Sequence, residues 1–540
     1  MLDVWTRYNS ARSLYQQGKV NEAAQAYRKL IAEKKDFAWS HYELAKLYQE
    51  QSRFTPALHH FQAAISLSPD YPWSYFEAGN IYFKQQKFDA AAAHFSKVVA
   101  FQPEAMWGNY WLAMSLDELG DKAQAISTYQ TAAPLFEKSK KYHQAISIYQ
   151  RIVELDGDNV TALYKLARLL DREDNWRAAA IAYKKAIQLM PEPAHVCREL
   201  IALLQRHAQI ADALKMCQQL IDIESEYYWN YGLLAGVLLD VGDRPKALIY
   251  YQQAVEKRIH TSQPTLGYRS SEECHSTNKQ VDFFVIGFAK TATTSLFNYL
   301  IQHPQILPPY CKEPHFFSKF AHYGMDWYLS QFPDTTFADT QNKRQNKRFI
   351  TGEGSINYIE NLHAPQRIFE QFPQAKLIVS LREPVQRTLS DYHMWIREGW
   401  EHRPLEQVID FELSQLADST VKQLTKGDHW RYENRYGFVT SYLLRSLYVY
   451  HIQRWLAVFP REQFFFLEAD QLSKAPQQTL SQLFDFLGVD DYHDINYRQH
   501  NRGAYYKKNQ NNNSATTRLR AFFKPHNALL EACLERTFDW

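Results

Sequence analysis

VDFFVIGFAKTATTSLFNYL, residues 281–300, decides the fold of the second half of this chain. VDFFVIGF is a short unbroken apolar run, which suits a strand buried on both faces. Gly287 leaves it and Lys290 sits in the loop. Thr293, Thr294 and Ser295 then open a helix that Pro304 should stop. Backbone N–H groups at a helix start, together with the helix dipole, favour an anion, and Lys290 adds a charged donor. Lys290, Thr291, Ala292, Thr293, Thr294 and Ser295 therefore form a candidate phosphate or sulfate cradle. The lysine precedes the hydroxyls instead of abutting them, so this is not the G-x-x-x-x-G-K-[ST] loop of nucleoside-triphosphate enzymes. An ordinary strand–helix turn capped by a threonine is the bland reading of the same residues.

Downstream, KLIVSL (376–381) and QFFFLEAD (463–470) are further buried-strand runs, the latter followed by TLSQLFDFLG, which closes at Gly488. Strands alternating with helices imply an α/β domain with a parallel sheet. LREPVQRTLSDY (381–392) places Arg382 just after a strand and Ser390 eight residues on, a pair suited to a second phosphate. Between these lie KEPHFF (312–317), GMDWYLSQFP (324–333) and GEGSINYI (352–359).

Upstream the grammar is different. Alanines recur at Ala23, Ala57, Ala91 and Ala125 in steps of 34 residues, then after a slip at Ala145, Ala179, Ala213 and Ala247. Four residues after each stands a larger side chain: Tyr27, Phe61, Phe95, Tyr129, Tyr149, Tyr183, Cys217 and Tyr251. Twelve before most is another small residue (Ala11, Ala45, Gly79, Ala113, Ala167, Ala235), and Pro69, Pro103 and Pro191 stand where a second helix should end. That period describes a helix–turn–helix solenoid. The step from Ala125 to Ala145 is only 20 residues with Pro134 inside it, which predicts an irregular helix and a change of superhelix direction near 130–142. Tyr42, Phe76, Tyr110 and Tyr164 share a first-helix position, with Lys46, Asn80 and Arg168 one turn further on. They read either as a groove for a peptide or protein, or as interhelical packing. The expected organisation is a solenoid of about eight units over 1–260, a Ser/Thr-rich linker over 261–280, and the α/β domain over 281–540.

Composition removes other classes. The 540 residues carry 61 Lys+Arg against 59 Asp+Glu, so nothing resembles a basic nucleic-acid footprint or a polybasic membrane anchor. The five cysteines are odd in number and none are spaced C-x-x-C, against a disulfide framework or zinc knuckle. No apolar run approaches the roughly 20 residues that span a bilayer, and MLDVWTRYNS lacks a leader pattern. A cytoplasmic, bacterial-type protein is the expectation.

The repeats resemble the tetratricopeptide repeat. Residues 281–540 resemble the sulfotransferases that use 3′-phosphoadenosine 5′-phosphosulfate (PAPS). Their phosphosulfate loop reads G-x-x-K-[TS]-G-T-[TS]-x-L and their 3′-phosphate strand L-R-[ND]-P-x-x-R-x-x-S. Ala292 replaces the loop's usual glycine, implying that positive φ is not needed there, and Glu383 replaces the usual Asn or Asp. Glu353-Gly-Ser355-Ile-Asn357-Tyr358 and His451-Ile-Gln-Arg454-Trp455-Leu bring the motifs nearest to the heparan-sulfate glycan sulfotransferases. The resemblance implies a P-loop-like strand–loop–helix, PAPS as sulfuryl donor and no metal. It makes Lys290 the residue that stabilises the leaving oxygen, Glu353 the general base, and His451 an acid or acceptor-orienting group. Lys312 would position the acceptor or a sulfuryl oxygen, the bland reading being an ion pair with Glu313. Arg382 and Ser390 would hold the 3′-phosphate, while Arg502 and Gly503, in RQHNRGAYYKKN (498–509), would cover the nucleotide. The acceptor would be a glycan, or a protein tyrosine, small alcohol or phenol, with a protein or peptide on the repeats. The rival is a repeat scaffold carrying an inactive PAPS-binding module.

Overall fold

The computed structural model describes residues 2–266, 268, 279–335, 348–416, 442–497 and 514–540. The chain divides into two compact units, Met1–Ala213 and Leu214–Trp540. From Leu2 to Ser262 the described residues form fifteen helices.

The eight repeat alanines are each fully buried, and the larger side chain four residues on is buried with them. Gly79 shows why the partner position must be small: a Cβ there would stand 2.9 Å from the Phe95 ring. Helices stop at Leu67, Phe101 and Leu189, two residues short of Pro69, Pro103 and Pro191. One feature of the period escaped the sequence reading. Gly18, Ser52, Gln86 and Gly120, then Lys140, Asp174, Ala208 and Gly242, all adopt positive φ between 55° and 81°. They repeat every 34 residues with the same 20-residue slip. Each is the left-handed residue that turns one helix of a pair into the next.

The slip has a simple cause. Lys122–Lys138 is one continuous helix of 17 residues running through Pro134, not an irregular segment. Its first half buries Ala125 and Tyr129 as the second helix of one unit; its second half buries Ala133 and Phe136. Ala133 stands twelve residues before Ala145, the place of the small first-helix residue. One helix thus serves two successive units, and the missing stretch is a first helix that was never needed.

The aromatic residues at the shared first-helix position are occupied in packing. Tyr42 meets Phe61 and Phe76 meets Phe95 at 5.8 Å, Tyr164 meets Tyr183 at 6.4 Å, and Tyr110 meets Phe136 at 5.9 Å. Lys46 and Arg168 lie over the rings of Tyr42 and Tyr164, each at 5.8 Å. Beside Arg168 a cavity of about 410 Å³ is lined by Asp171, Arg172, Tyr183, Glu199 and Arg206.

The second unit contains a five-stranded, all-parallel sheet: β1 (Phe283–Gly287), β2 (Ile306–Leu307), β3 (Ile350–Glu353), β4 (Lys376–Leu381) and β5 (Phe464–Glu468), in the order β2-β3-β1-β4-β5. β1 is central and buried throughout, as its unbroken apolar run requires. The helix Thr293–Leu300 follows β1 and Pro384–Arg397 follows β4. Val285, Leu296, Phe297, Ile378, Leu467 and Phe484 share one core, to which the helix Thr293–Leu300 contributes. The closing helix Ser514–Leu534 packs Ala515, Leu519 and Phe523 against Val385, Tyr392 and Leu443. The runs 281–288, 376–381 and 463–470 hold three of the strands; β2, two residues long, and β3, Ile-Thr-Gly-Glu, carry too little apolar pattern to stand out.

Candidate active site

In an open parallel sheet, the carboxyl ends of neighbouring strands on either side of a topological switch make the natural crevice. Here β3, β1 and β4 deliver Glu353, the loop 288–292 and Arg382 to that edge. Gly287 is required, because a Cβ would stand 2.5 Å from Ile359 Cγ2.

The loop is tied down by its carbonyls. The Thr291 hydroxyl donates to Phe288 O at 2.6 Å, and Arg387 reaches Ala289 O at 3.4 Å. Arg382 donates to Lys290 O at 3.3 Å, and Ser380 Oγ donates to Thr291 O. With four successive carbonyls held from behind, the amides of the first helical turn, which have no intrahelical acceptors, are what the loop can offer a ligand. The Thr291 side chain thus braces the loop. Lys290 (φ 71°) and Ala292 (φ 63°) both lie in the left-handed region, flanking Thr291. This corrects the expectation for Ala292: the backbone keeps the glycine conformation without glycine. Thr293 and Ser295 are buried, whereas Thr294 is half-buried.

Lys290 is half-buried, its Nζ 3.5 Å from Met394 Sδ. Burial lowers its pKa; Asp391 opposes this, and the cations Arg397, Arg382 and Arg387 push it further down. Such a surplus of positive charge fits an anionic ligand. Arg387, the second arginine of the L-R-[ND]-P-x-x-R-x-x-S pattern, is fully buried. It pairs with Asp391 at 3.0 Å and donates to Tyr442 O at 2.6 Å. Burial would raise the Asp391 pKa, but Arg387 and Arg445 hold it below the ordinary carboxylate range. The i,i+4 spacing of Arg387 and Asp391 was the available signal. Glu383 caps its helix, accepting from Val385 N at 3.1 Å and Gln386 N at 2.7 Å, so its replacement of Asn or Asp keeps the capping chemistry. Ser390 lies half-buried two turns into that helix. Arg502 and Gly503 lie outside the described residues.

Glu353 is sealed in. It has no solvent exposure; Tyr328 donates to Oε1 at 2.6 Å, Tyr358 to Oε1 at 3.1 Å, and Ser355 Oγ to Oε2. Burial lifts its pKa to about 7 against the pull of those three donors. The same hydroxyls reach onward, Ser355 Oγ accepting from His315 N at 3.0 Å and Tyr358 Oη from Phe317 N at 3.2 Å. Asn357 Oδ1 faces His315 Nδ1 at 3.0 Å, and Gly354 N donates to Lys312 O at 2.7 Å. The segment 353–358 is thus a cradle for the loop 312–317. That loop carries a further carboxylate at this edge, Glu313. Glu313, with 29% of its side chain exposed, lies 2.6 Å from Lys312 Nζ and 3.5 Å from His315 Nε2. His315 is a third non-glycine residue at this edge with positive φ, 54°. Backbone strain that the surroundings hold in place is a pointer to function. The ion pair of Lys312 with Glu313, the bland reading of KEPHFF, is present, and it places Glu313 at the sheet edge.

His451 is fully buried, its Nε2 3.2 Å from Leu444 O and its Nδ1 3.0 Å from Arg454. Burial first, then Arg454, drive its pKa down to about 3. A ring so engaged and so weakly basic carries no second proton near neutrality, and its one N–H is turned to Leu444 O, which speaks against the acid role. Its ring packs edge-on against Phe288 at 5.6 Å, supporting the loop.

Residues 280–528 match the family model of the sulfotransferase domain. Residues 11–52 match the TPR repeat model, and 42–105, 76–140 and 131–192 that of the tetratricopeptide repeat. The chain therefore joins tetratricopeptide repeats to a sulfotransferase domain. Among similar proteins, the membrane-associated sulfotransferase kil1 of Dictyostelium discoideum is 26% identical over 324 residues, 48% of this chain and 66% of that protein. The bifunctional heparan sulfate N-deacetylase/N-sulfotransferase 4 of Mus musculus is 29% identical over 213 residues, 38% of this chain and 22% of that protein. The chain thus spans less than two thirds of the length of either. A solved sulfotransferase from Alicyclobacillus acidocaldarius is 27% identical over 48% of this chain and 97% of its own, with a TM-score of 0.35. No helix among the described residues is long and apolar enough to cross a membrane.

Proposed function

We propose that the domain from residue 281 onward transfers the sulfuryl group of PAPS to a hydroxyl or amine, with a glycan as the favoured acceptor. The observation that carries this is the braced loop 288–292, with Lys290 set among Arg382, Arg387 and Arg397. PAPS supplies a sulfuryl group on a leaving phosphate. Loop amides and Lys290 neutralise charge that builds on the bridging oxygen, an electrostatic effect that grows in a water-poor site. Arg382 braces the loop and offers its remaining donors to the nucleotide, with Ser390 on the helix that follows. On the β3 side, Glu313 is the group we assign to take the acceptor's proton, since it is partly exposed, whereas Glu353 is sealed and orients the loop from below. Lys312 and His315 hold Glu313 and the acceptor in register. The glycan preference rests on the sequence resemblance and on the heparan sulfate activity of the murine relative. The repeats would receive a protein or peptide partner.

Labelled PAPS offered with polysaccharide, peptide and phenol acceptors tests the reading directly. Adenosine 3′,5′-bisphosphate should raise the melting temperature and ATP much less, and Arg382→Ala should weaken the former by about 1.5–3 kcal/mol. Donor binding without transfer to any acceptor class would instead favour the inactive-module reading.

A further inference from the structure

The last repeat hairpin, Tyr228–Asp240 and Arg244–Ser262, lies in the same compact unit as the sheet. In a solenoid each unit stacks on the next, and the last needs a cover. Tyr251, the repeat's gap-filling aromatic, meets Tyr310 at 5.4 Å and Trp327 edge-on at 6.3 Å. The transferase segment after β2 takes the place of the next repeat. Tyr310 lies against the backbone of the first helix, since a Cβ on Gly232 would come within 2.0 Å of its ring, and Trp229 meets it edge-on at 4.8 Å.

Polar contacts fix the same segment. Arg258 donates to Pro309 O and, at 2.9 Å, to Tyr310 O, its guanidinium 5.2 Å from the Tyr228 ring centre. Gln263 Nε2 donates to His303 O and Ile306 O at 3.1 Å each, bracketing the approach to β2. Arg244 pairs with Asp326 at 2.9 Å. Two residues beyond Tyr310 begins Lys312–Glu313–Pro–His315. Its other side is clamped by Gly354 N and Ser355 Oγ. The acceptor-side loop therefore hangs between the repeat hairpin and the end of β3.

We propose that the last repeat hairpin is a working part of the transferase: Arg258, with Gly232 and Tyr310, is a positioning residue that sets the loop carrying Glu313. This rests on the transfer reading for its catalytic consequence, but its structural content stands apart. Removing the Arg258 donors should loosen 309–316 and slow transfer while leaving the donor cradle, which is braced by Arg382, Arg387 and Ser380, unaffected.

The test uses the full chain. Arg258→Met keeps most of the volume and removes the donors; Arg258→Lys keeps one charged donor. In Arg258→Met, amides of 309–316 should exchange hydrogen about tenfold faster or more, with those of β4 unchanged. Affinity for adenosine 3′,5′-bisphosphate should stay within about twofold while kcat falls about tenfold, with Arg258→Lys between the two. Unchanged exchange at 309–316 in both variants would overturn the proposal. So would donor affinity falling in step with kcat in Arg258→Lys, which folds with least disturbance. If the unaltered chain transfers to no acceptor, the transfer reading fails, and the exchange measurement still decides whether Arg258 holds the loop.

Discussion

Both halves of the molecule use the left-handed backbone conformation at non-glycine residues, and they use it differently. In the solenoid it falls once per turn, at Ser52, Gln86, Lys140, Asp174 and Ala208 as well as three glycines, spaced by the repeat itself. Residue identity hardly matters there, because the stacked helices dictate the turn. At the sheet edge, Lys290, Ala292 and His315 are set by no periodicity. Two of them are held by specific partners: Arg382 on the Lys290 carbonyl, and Ser355 and Asn357 on His315. The same cost, roughly 1–2 kcal/mol per residue, maintains a shape in one place and a reactive arrangement in the other.

The sharpest way to break that distinction is at the two carboxylates. Glu313→Gln should lower transfer by roughly 10²–10⁴-fold, the scale of a lost general base, with donor affinity unchanged. Glu353→Gln preserves the shape of a sealed hub, and we expect a loss below about tenfold. Steady-state rates on one validated acceptor decide it; the opposite ranking would return the base to Glu353 and make its burial a closed resting arrangement.

Stability against pH tests the hub with a smaller effect. The Glu353 carboxyl titrates near 7 when folded, against 4.5 for the unperturbed group. A group that binds its proton more tightly in the fold stabilises most below pH 4.5, and that contribution is lost as pH rises through 7. The loss is about 3 kcal/mol if the full shift is realised. Glu353→Gln cannot titrate, so its melting temperature relative to the unaltered chain should climb between pH 5 and 8. A constant offset across that range would mean the carboxylate stays ionised, held by Tyr328, Tyr358 and Ser355.

What was legible in the sequence follows the same divide. The repeats announced themselves because each unit must bury the same alanine and aromatic, so a single constraint is written eight times. The donor loop was legible because its chemistry is local: Gly287, Lys290 and the hydroxyls lie within nine residues. The acceptor side was not. Which of Glu313 and Glu353 faces out depends on Tyr328, Ser355 and Tyr358 closing over one of them; Ser355 and Tyr358 are its near neighbours, but Tyr328 arrives from another segment and no local pattern shows that all three hydroxyls turn inward. The engagement of His451 is equally invisible in its motif, because its partners Leu444 O and Arg454, though close in the chain, act through a backbone carbonyl and a side-chain direction that residue types do not specify. The doubled role of Lys122–Lys138 left a visible slip but no visible cause.

The smallest effect is the most direct comparison of the two uses of one backbone shape. Ala208 and Ala292 are both exposed alanines in the left-handed region, at φ 55° and 63°. A β-branched side chain is disfavoured there, so Ala208→Val and Ala292→Val should each cost about 1–2 kcal/mol in urea unfolding. Replacement by glycine relieves the strain but gives the unfolded chain more freedom, worth about 0.4–1 kcal/mol, so both glycine variants should lie within about 1 kcal/mol of the parent. The stability changes cannot tell the sites apart; donor binding can. At Ala208 the valine should leave affinity for adenosine 3′,5′-bisphosphate unaltered. At Ala292 it tilts the amides that open the helix Thr293–Leu300, and affinity should fall by about tenfold, a hydrogen bond to a charged group being worth about that much. If Ala292→Val binds the nucleotide as tightly as Ala208→Val, the left-handed turn at 292 is only a way around a corner, and the loop amides do not hold the donor.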